Sequence, residues 1–300
     1  MGRWSVFFLA LVGGFFSSTP VKAEEAGDTV VLQPSTPWVL DFADSGCRLN
    51  RYFGPPEYRH LLYFETSTPT DNPTLMVGGP SIKFLQPKQP VVVGFGDEWS
   101  PEKRQILWGE IKDIGSSFQL WTSFPNEAEK NGSSEKAKSD ETLGIERIDL
   151  EATAKITQLT LSQAKSRIVL ETGGMKQAFE ALNQCSQDLI RHWGLNLEQH
   201  KAYSDRPSLR DNDRIVRGLI RTVLKEVEDS DFAAVYALTF IVEKDGTTSN
   251  CILHRKSLTD LDFKKACDYM KRRARFEPAR DMTGSAMRSY YTTMLSHRPH

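Results

Sequence analysis

Residues 233–254 read AAVYALTFIVEKDGTTSNCILH, and this stretch decides the fold of the C-terminal half. Val235, Tyr236, Leu238, Phe240 and Val242 make a β-rich run, because branched and aromatic side chains suit a pleated, half-buried surface. Glu243-Lys244-Asp245-Gly246 follows, and Asp-Gly predicts a hairpin turn because glycine tolerates positive φ. Thr247 to His254 supplies the return strand. Downstream, Asp260 to Ala274 carries Leu261, Phe263, Ala266, Cys267 and Met270 at helical spacing. Arg275 to Asp281 ends that helix, since Pro278 cannot sit in a helix interior. Met287 to Leu295 forms the last strand. Upstream, Ile215, Leu219, Ile220 and Leu224 mark a further amphipathic helix. Helix, hairpin, helix and strand predict a small α+β sandwich over residues 212–300, with the helices on one sheet face.

Residues 196–211 are polar, contain Pro207 and read as a linker. Before them, residues 37–195 read as a mostly β domain of unknown function with a closing helix. Its short apolar runs are Trp38-Val39-Leu40, Leu61 to Phe64, Leu75-Met76-Val77, Val91-Val92-Val93 and Phe118 to Trp121. They are too short for helices and are bounded by Pro55-Pro56, Asp71-Asn72-Pro73 and Gly78-Gly79-Pro80, so strands are expected. Asn126 to Thr142 has no apolar periodicity and reads as a solvated loop. After Gly173-Gly174 the period changes. Met175, Phe179, Leu182, Leu189 and Ile190 predict an amphipathic helix that closes before Gly194.

Residues 1–23 read as a secretory signal peptide. Arg3 precedes the apolar run Trp4–Phe16, Ser17 to Pro20 break it, and Val21-Lys22-Ala23 offers small residues for cleavage. As a helix that run would rise only about 20 Å, short of a hydrocarbon core of roughly 30 Å. Export to the periplasm follows, and a membrane location is expected only if the segment stays uncleaved, as an inner-membrane anchor. The 38 basic and 39 acidic residues nearly cancel, leaving no global electrostatic drive toward nucleic acid. In an oxidising compartment the four cysteines are expected to pair. Sequence permits three pairings; Cys47–Cys185 with Cys251–Cys267 keeps each bridge within one unit. A zinc site would want a close Cys or Cys/His cluster, and the six histidines form none.

The C-terminal residues resemble the C-terminal domain of TonB-type proteins, from roughly Pro207 to the end. Asp245-Gly246, Leu261-Asp262, Phe276-x-Pro278-Ala279 with Asp281 and Gly284, and a terminal strand carry the resemblance. Cys251 and Cys267 fit a variant that pins the return strand to the following helix. The resemblance implies that residues 288–295 lie on a sheet edge, where Arg288, Tyr290, Thr292 and Met294 would meet an envelope protein or peptide by strand addition. Full-length members transmit energy from an inner-membrane motor to outer-membrane receptors through an uncleaved anchor and a Pro-rich spacer. This chain departs from them in its cleavable start and its β-rich middle. An interaction or structural role is therefore expected, with energy transduction as the alternative. The front half is similar to uncharacterised secreted proteins of alphaproteobacteria. Trp38-x-Leu40-Asp41, Cys47-Arg48-Leu49, Arg51-x-Phe53-Gly54, and Cys185 with Trp193-Gly194 carry that similarity.

Catalytic patterns are sparse. Asp44-Ser45-Gly46, with Val92-Val93-Gly94 later, imitates half of an aspartic peptidase, which would need a homodimer to bring two carboxylates together. The same triplet reads structurally as a tight turn entering a strand. The chain has no Gly-x-Ser-x-Gly elbow, and Gly94-x-Gly96 lacks the rest of a dinucleotide fingerprint. The cations around Lys264 and Arg272 are diluted by Asp260, Asp262, Asp268 and Glu277, as on a solvated helix face. The expectation is a protein that is no enzyme and needs no cofactor or metal.

Overall fold

The computed structural model describes residues 29–43, 45–70, 72–97, 99–122, 124, 145, 147–223, 234–254 and 260–297. Residues 1–23, expected as a signal peptide, the tract 126–142, Asp44 and Leu224 lie outside the described residues. The chain is mixed α+β, with most of its regular structure in several sheets and few helices.

The first half contributes β1 (Thr29–Leu32), β2 (Val39–Ala43), β3 (Gly46–Phe53), β4 (His60–Thr66), β5 (Thr74–Gly78), β6 (Val91–Phe95), β7 (Glu102–Arg104), β8 (Leu107–Ile111) and β9 (Gly115–Trp121). A short helix, α1 (Leu150–Thr153), is followed by the hairpin β10 (Leu159–Gln163) and β11 (Ser166–Leu170), then by the long α2 (Lys176–His192). One six-stranded antiparallel sheet runs β2-β3-β4-β5-β9-β8, and a five-stranded sheet runs β1-β11-β10-β6-β7. Alternation along β3 buries Cys47, Leu49 and Phe53 and turns Arg48 and Asn50 the other way, as the period of two demands. These side chains, with Phe64, Leu75, Phe118, Leu161 and Ile168, form one core with the apolar stripe of α2.

Phe179 of α2 anchors that contact, its ring 5.1 Å from Phe64 and 4.5 Å from Phe124. Cys185, two turns on, bonds to Cys47 with their Cα atoms 6.1 Å apart. Asn183, on the buried side of α2, accepts from Ile148 N–H and donates to Ile148 O, both at 2.9 Å. That reciprocal pair satisfies a buried peptide unit just before α1, whose N-terminus Asp149 caps.

Residues 196–211 depart from the linker expectation in being ordered. Asn196 caps α3 (Leu197–Lys201), and β12 (Tyr203–Asp205) and β13 (Ser208–Leu209) follow. The stretch is polar overall, yet Leu197, His200 and Tyr203 are buried. Beyond it come α4 (Asn212–Val223), β14 (Ala234–Val242), β15 (Thr248–Leu253), α5 (Asp260–Arg273), β16 (Phe276–Glu277), β17 (Ala279–Asp281), β18 (Ala286–Met287) and β19 (Ser289–His297). β12 pairs with β17 and β13 with β16, weaving the supposed linker into the C-terminal half. The segment around Pro278 likewise does more than end a helix, since it carries β16 and β17.

β14 is the centre of a three-stranded sheet in the order β15-β14-β19. Leu238, Phe240, Val242 and Leu295 on one face meet Ile215, Leu219, Ala266 and Met270 of α4 and α5. The two helices cross closely at Gly218, where a Cβ would stand 1.9 Å from the Tyr269 hydroxyl oxygen. Cys251 of β15 bonds to Cys267 of α5, with their Cα atoms 5.8 Å apart. Each bridge thus closes within one half.

Candidate functional site

β19 lies at the margin of its sheet. Its register with β14 runs from Ala234↔His297 to Val242↔Ser289. It pairs with no other strand, so its outer edge has no ladder partner among the described residues. Alternation sends Tyr291 and Leu295 into the helix-covered core and turns Tyr290, Thr292 and Met294 to the opposite face.

That face meets the first half of the molecule. Ile241 is fully buried in the first core, with Ile252 and Tyr290 packed against it. The Tyr290 ring lies 5.5 Å from Trp193, at the end of α2, and stacks on His200 at 5.9 Å. Thr292 Oγ1 is 2.6 Å from Thr239 Oγ1. Trp121 of β9 donates its indole N–H to Met294 Sδ at 3.1 Å. Arg288 reaches back to Glu243 at 2.8 Å and to the Gly194 carbonyl at 2.9 Å. Of the four residues expected on a partner-binding edge, only Met294 is exposed, at 51%. The others are committed largely to the seam between the two cores.

Two buried histidines complete this seam. His254 directs Nδ1 at the Ser45 carbonyl, which fixes the proton there, so Nε2 accepts from Thr239 Oγ1 at 2.6 Å. His200 directs Nδ1 at the Asn196 carbonyl, 2.7 Å away, and Nε2 at Ser289 Oγ, 3.1 Å away. Desolvation lowers the pKa of both from the usual histidine value. Ser45 of the expected Asp-Ser-Gly turn thereby serves as an acceptor, and Gly46 opens β3.

Of the residues carrying the family resemblance, Asp245, Gly246 and Gly284 sit in turns, Leu261 and Asp262 in α5, and Phe276, Ala279 and Asp281 in short strands. Gly246 has φ +79°, and its carbonyl accepts from Phe276 N–H at 2.9 Å. Asp245 accepts from the N–H and hydroxyl of Thr247, whose hydroxyl holds its carboxyl below the usual carboxylate range. Asp281 does the same for Thr283 and also accepts from Ser285 N–H, again with a lowered pKa led by the Thr283 hydroxyl. Gly284 sits in that turn at φ +79°. Pro278 separates β16 from β17, Phe276 is buried in the second core, and Ala279 packs with Tyr203 and Met287. Of these positions, Asp245 and Gly246 turn the hairpin of the sheet that presents β19, while Ala279, Asp281 and Gly284 lie in the neighbouring β12-β17-β18 sheet and its turn.

Among the described residues, no three His, Cys, Asp or Glu side chains are grouped to hold a metal ion. No helix of the described residues is long and apolar enough to cross a membrane. Lys264 pairs with Asp268 at 2.6 Å on an exposed face of α5. Gly94, in β6, pairs with Thr160 of β10 rather than opening a helix. Sequence reasoning missed Trp193, His200 and His254 as a group. They are distant in the chain, and only tertiary packing brings them together.

Comparison with protein-family models, with curated proteins and with solved structures finds no match.

Proposed function

We propose that this chain is an exported envelope protein of the periplasm whose C-terminal half, resembling the TonB C-terminal domain, binds an envelope protein or peptide by strand addition. The carrying observation is the outer edge of β19, which lacks a ladder partner among the described residues while the strand itself is held by nine registered pairs to β14. A strand already held in register, with its outer edge unpaired among the described residues, offers a row of backbone donors and acceptors at little ordering cost. Exposed Met294 gives an incoming strand an adaptable apolar contact at that edge. Two disulfides, each within one half, suit a chain that works where thiols oxidise.

A photo-crosslinking residue at Met294, compared with one at Met282, tests the reading in cells exporting the protein. Met282 is as exposed, at 55%, but lies in the turn after β17 rather than on the edge. The expected result is an adduct enriched at position 294, and a peptide copied from the captured segment that slows amide exchange along β19. Equal labelling at both positions, or unchanged exchange, contradicts strand addition.

A further inference from the structure

We propose that the seam between the two cores is an acid-releasable latch, in which protonation of His200 and His254 frees the inner face of the three-stranded sheet. The proposal is independent of any partner.

Both histidines are almost wholly buried, at 1% and 3% exposure, and both sit at contacts that separation of the cores would break or expose. His254 follows β15 and reaches across to Ser45, between β2 and β3. Its ring also meets Trp193 edge-on at 6.0 Å. His200 lies on α3, which straddles the seam, since Leu197 belongs to the first core while His200 touches Ser289 and Tyr290 of β19. Neither disulfide crosses the seam. Trp193, Leu195 and Leu197 all belong to the first core, and the chain passes to the other side along α3, where His200 meets Ser289.

The closed seam has little to offer a second proton. Around His254 stand Ser45, Thr239, Trp193 and, through Thr239, Thr292. The charge of Glu65 favours its protonation, but that carboxylate is already paired with Arg48 at 2.7 Å. Around His200 stand Asn196, Tyr203, Ser289 and Tyr290. The nearby charges are spoken for, Arg288 by Glu243 and Lys201 by Glu198. An imidazolium at His200 would thus be buried without a counter-charge, one at His254 would face only a carboxylate shared with Arg48, and opening the seam hydrates both. The direction follows from linkage. Groups that are neutral when closed and titrate normally when open favour the closed form above about pH 6.5. That preference is lost as pH falls, by up to roughly tenfold per histidine per pH unit, or about 100-fold for two.

Hydroxyl-radical footprinting of the full disulfide-bonded chain from pH 8 to pH 5 tests this. Oxidation of Trp193 and Tyr290 is expected to rise steeply with acid, while Phe64 and Phe240, deep in the two cores, stay protected. The double variant His200→Gln/His254→Gln, which retains neutral hydrogen-bonding side chains, is expected to lose that pH dependence. A flat response in the parent, or an equal rise in the double variant, overturns the latch. If the double variant fails to fold, the imidazole resonances of the parent decide. Protonation midpoints coinciding with Trp193 exposure support the latch, and imidazoles that stay neutral through opening refute it. Failure here would leave strand addition at β19 standing, because no partner is present in the experiment.

Discussion

Replacing Cys47 and Cys185 together by alanine is expected to lower the stability of the first core by about 5 kcal/mol. The two residues are 138 apart in sequence, and in the chain-entropy model closing a loop of that length removes roughly 5 kcal/mol of denatured-state freedom. The bridge is also placed where it matters. It fastens β3, in the six-stranded sheet, to α2, the helix that covers that sheet's inner face. Both cysteines are buried, at 0% and 4% exposure, so the variant loses packing as well. Urea unfolding without reductant, read by tryptophan fluorescence, should show the midpoint collapse. The bridge Cys251–Cys267 spans only 16 residues, and its removal is expected to cost about 3 kcal/mol in the same model. If the two losses are equal, or the longer bridge costs less, loop closure does not explain the stabilisation.

Gly246→Ala is the second large effect, expected to cost the C-terminal half about 3 kcal/mol or more through backbone strain and overpacking together. The residue has φ +79°, and a Cβ there would lie 2.2 Å from the Phe276 carbonyl oxygen. That atom is backbone and belongs to β16, which also donates to the Gly246 carbonyl at 2.9 Å, so relief requires moving a strand. Gly284 supplies the comparison, with the same φ of +79° and nothing within 4 Å of its Cβ position. Gly284→Ala therefore carries only the conformational penalty, about 1 kcal/mol. The difference between the two variants, measured by thermal unfolding, isolates the clash. Equal losses would mean that the Asp-Gly turn yields without disturbing β16.

The hairpin at Asp245-Gly246, the helix ending before Gly194 and the pairing of all four cysteines were legible because each depends on local chemistry or on simple closure. Other elements left no such mark. The β10–β11 hairpin turns at Ala164, with φ +50°, where neither glycine nor proline announces it. β1 is added in parallel to β11 from far away in sequence, a contact no local pattern encodes. The segment 196–211 looked like a linker because its buried residues, Leu197, His200 and Tyr203, are spaced among charged ones.

The candidate site was half legible for the same reason. Alternation in residues 288–295 gives a strand and separates its two faces. It does not reveal that Tyr290 and Thr292 turn toward the first core, because Trp193, His200 and Ser45 arrive there through tertiary packing alone. The charge pair of Arg288 with Glu243 is likewise invisible until the hairpin brings β19 beside its turn.

The intact mass of the mature chain, taken without and then with reductant, tests export and double bridging together. An exported, doubly bridged protein is expected to begin at Glu24 and to gain roughly four hydrogens on reduction, two for each disulfide. A chain that keeps residues 1–23, or whose mass does not change on reduction, would contradict it, and retention of that segment would put membrane-anchored energy transduction first.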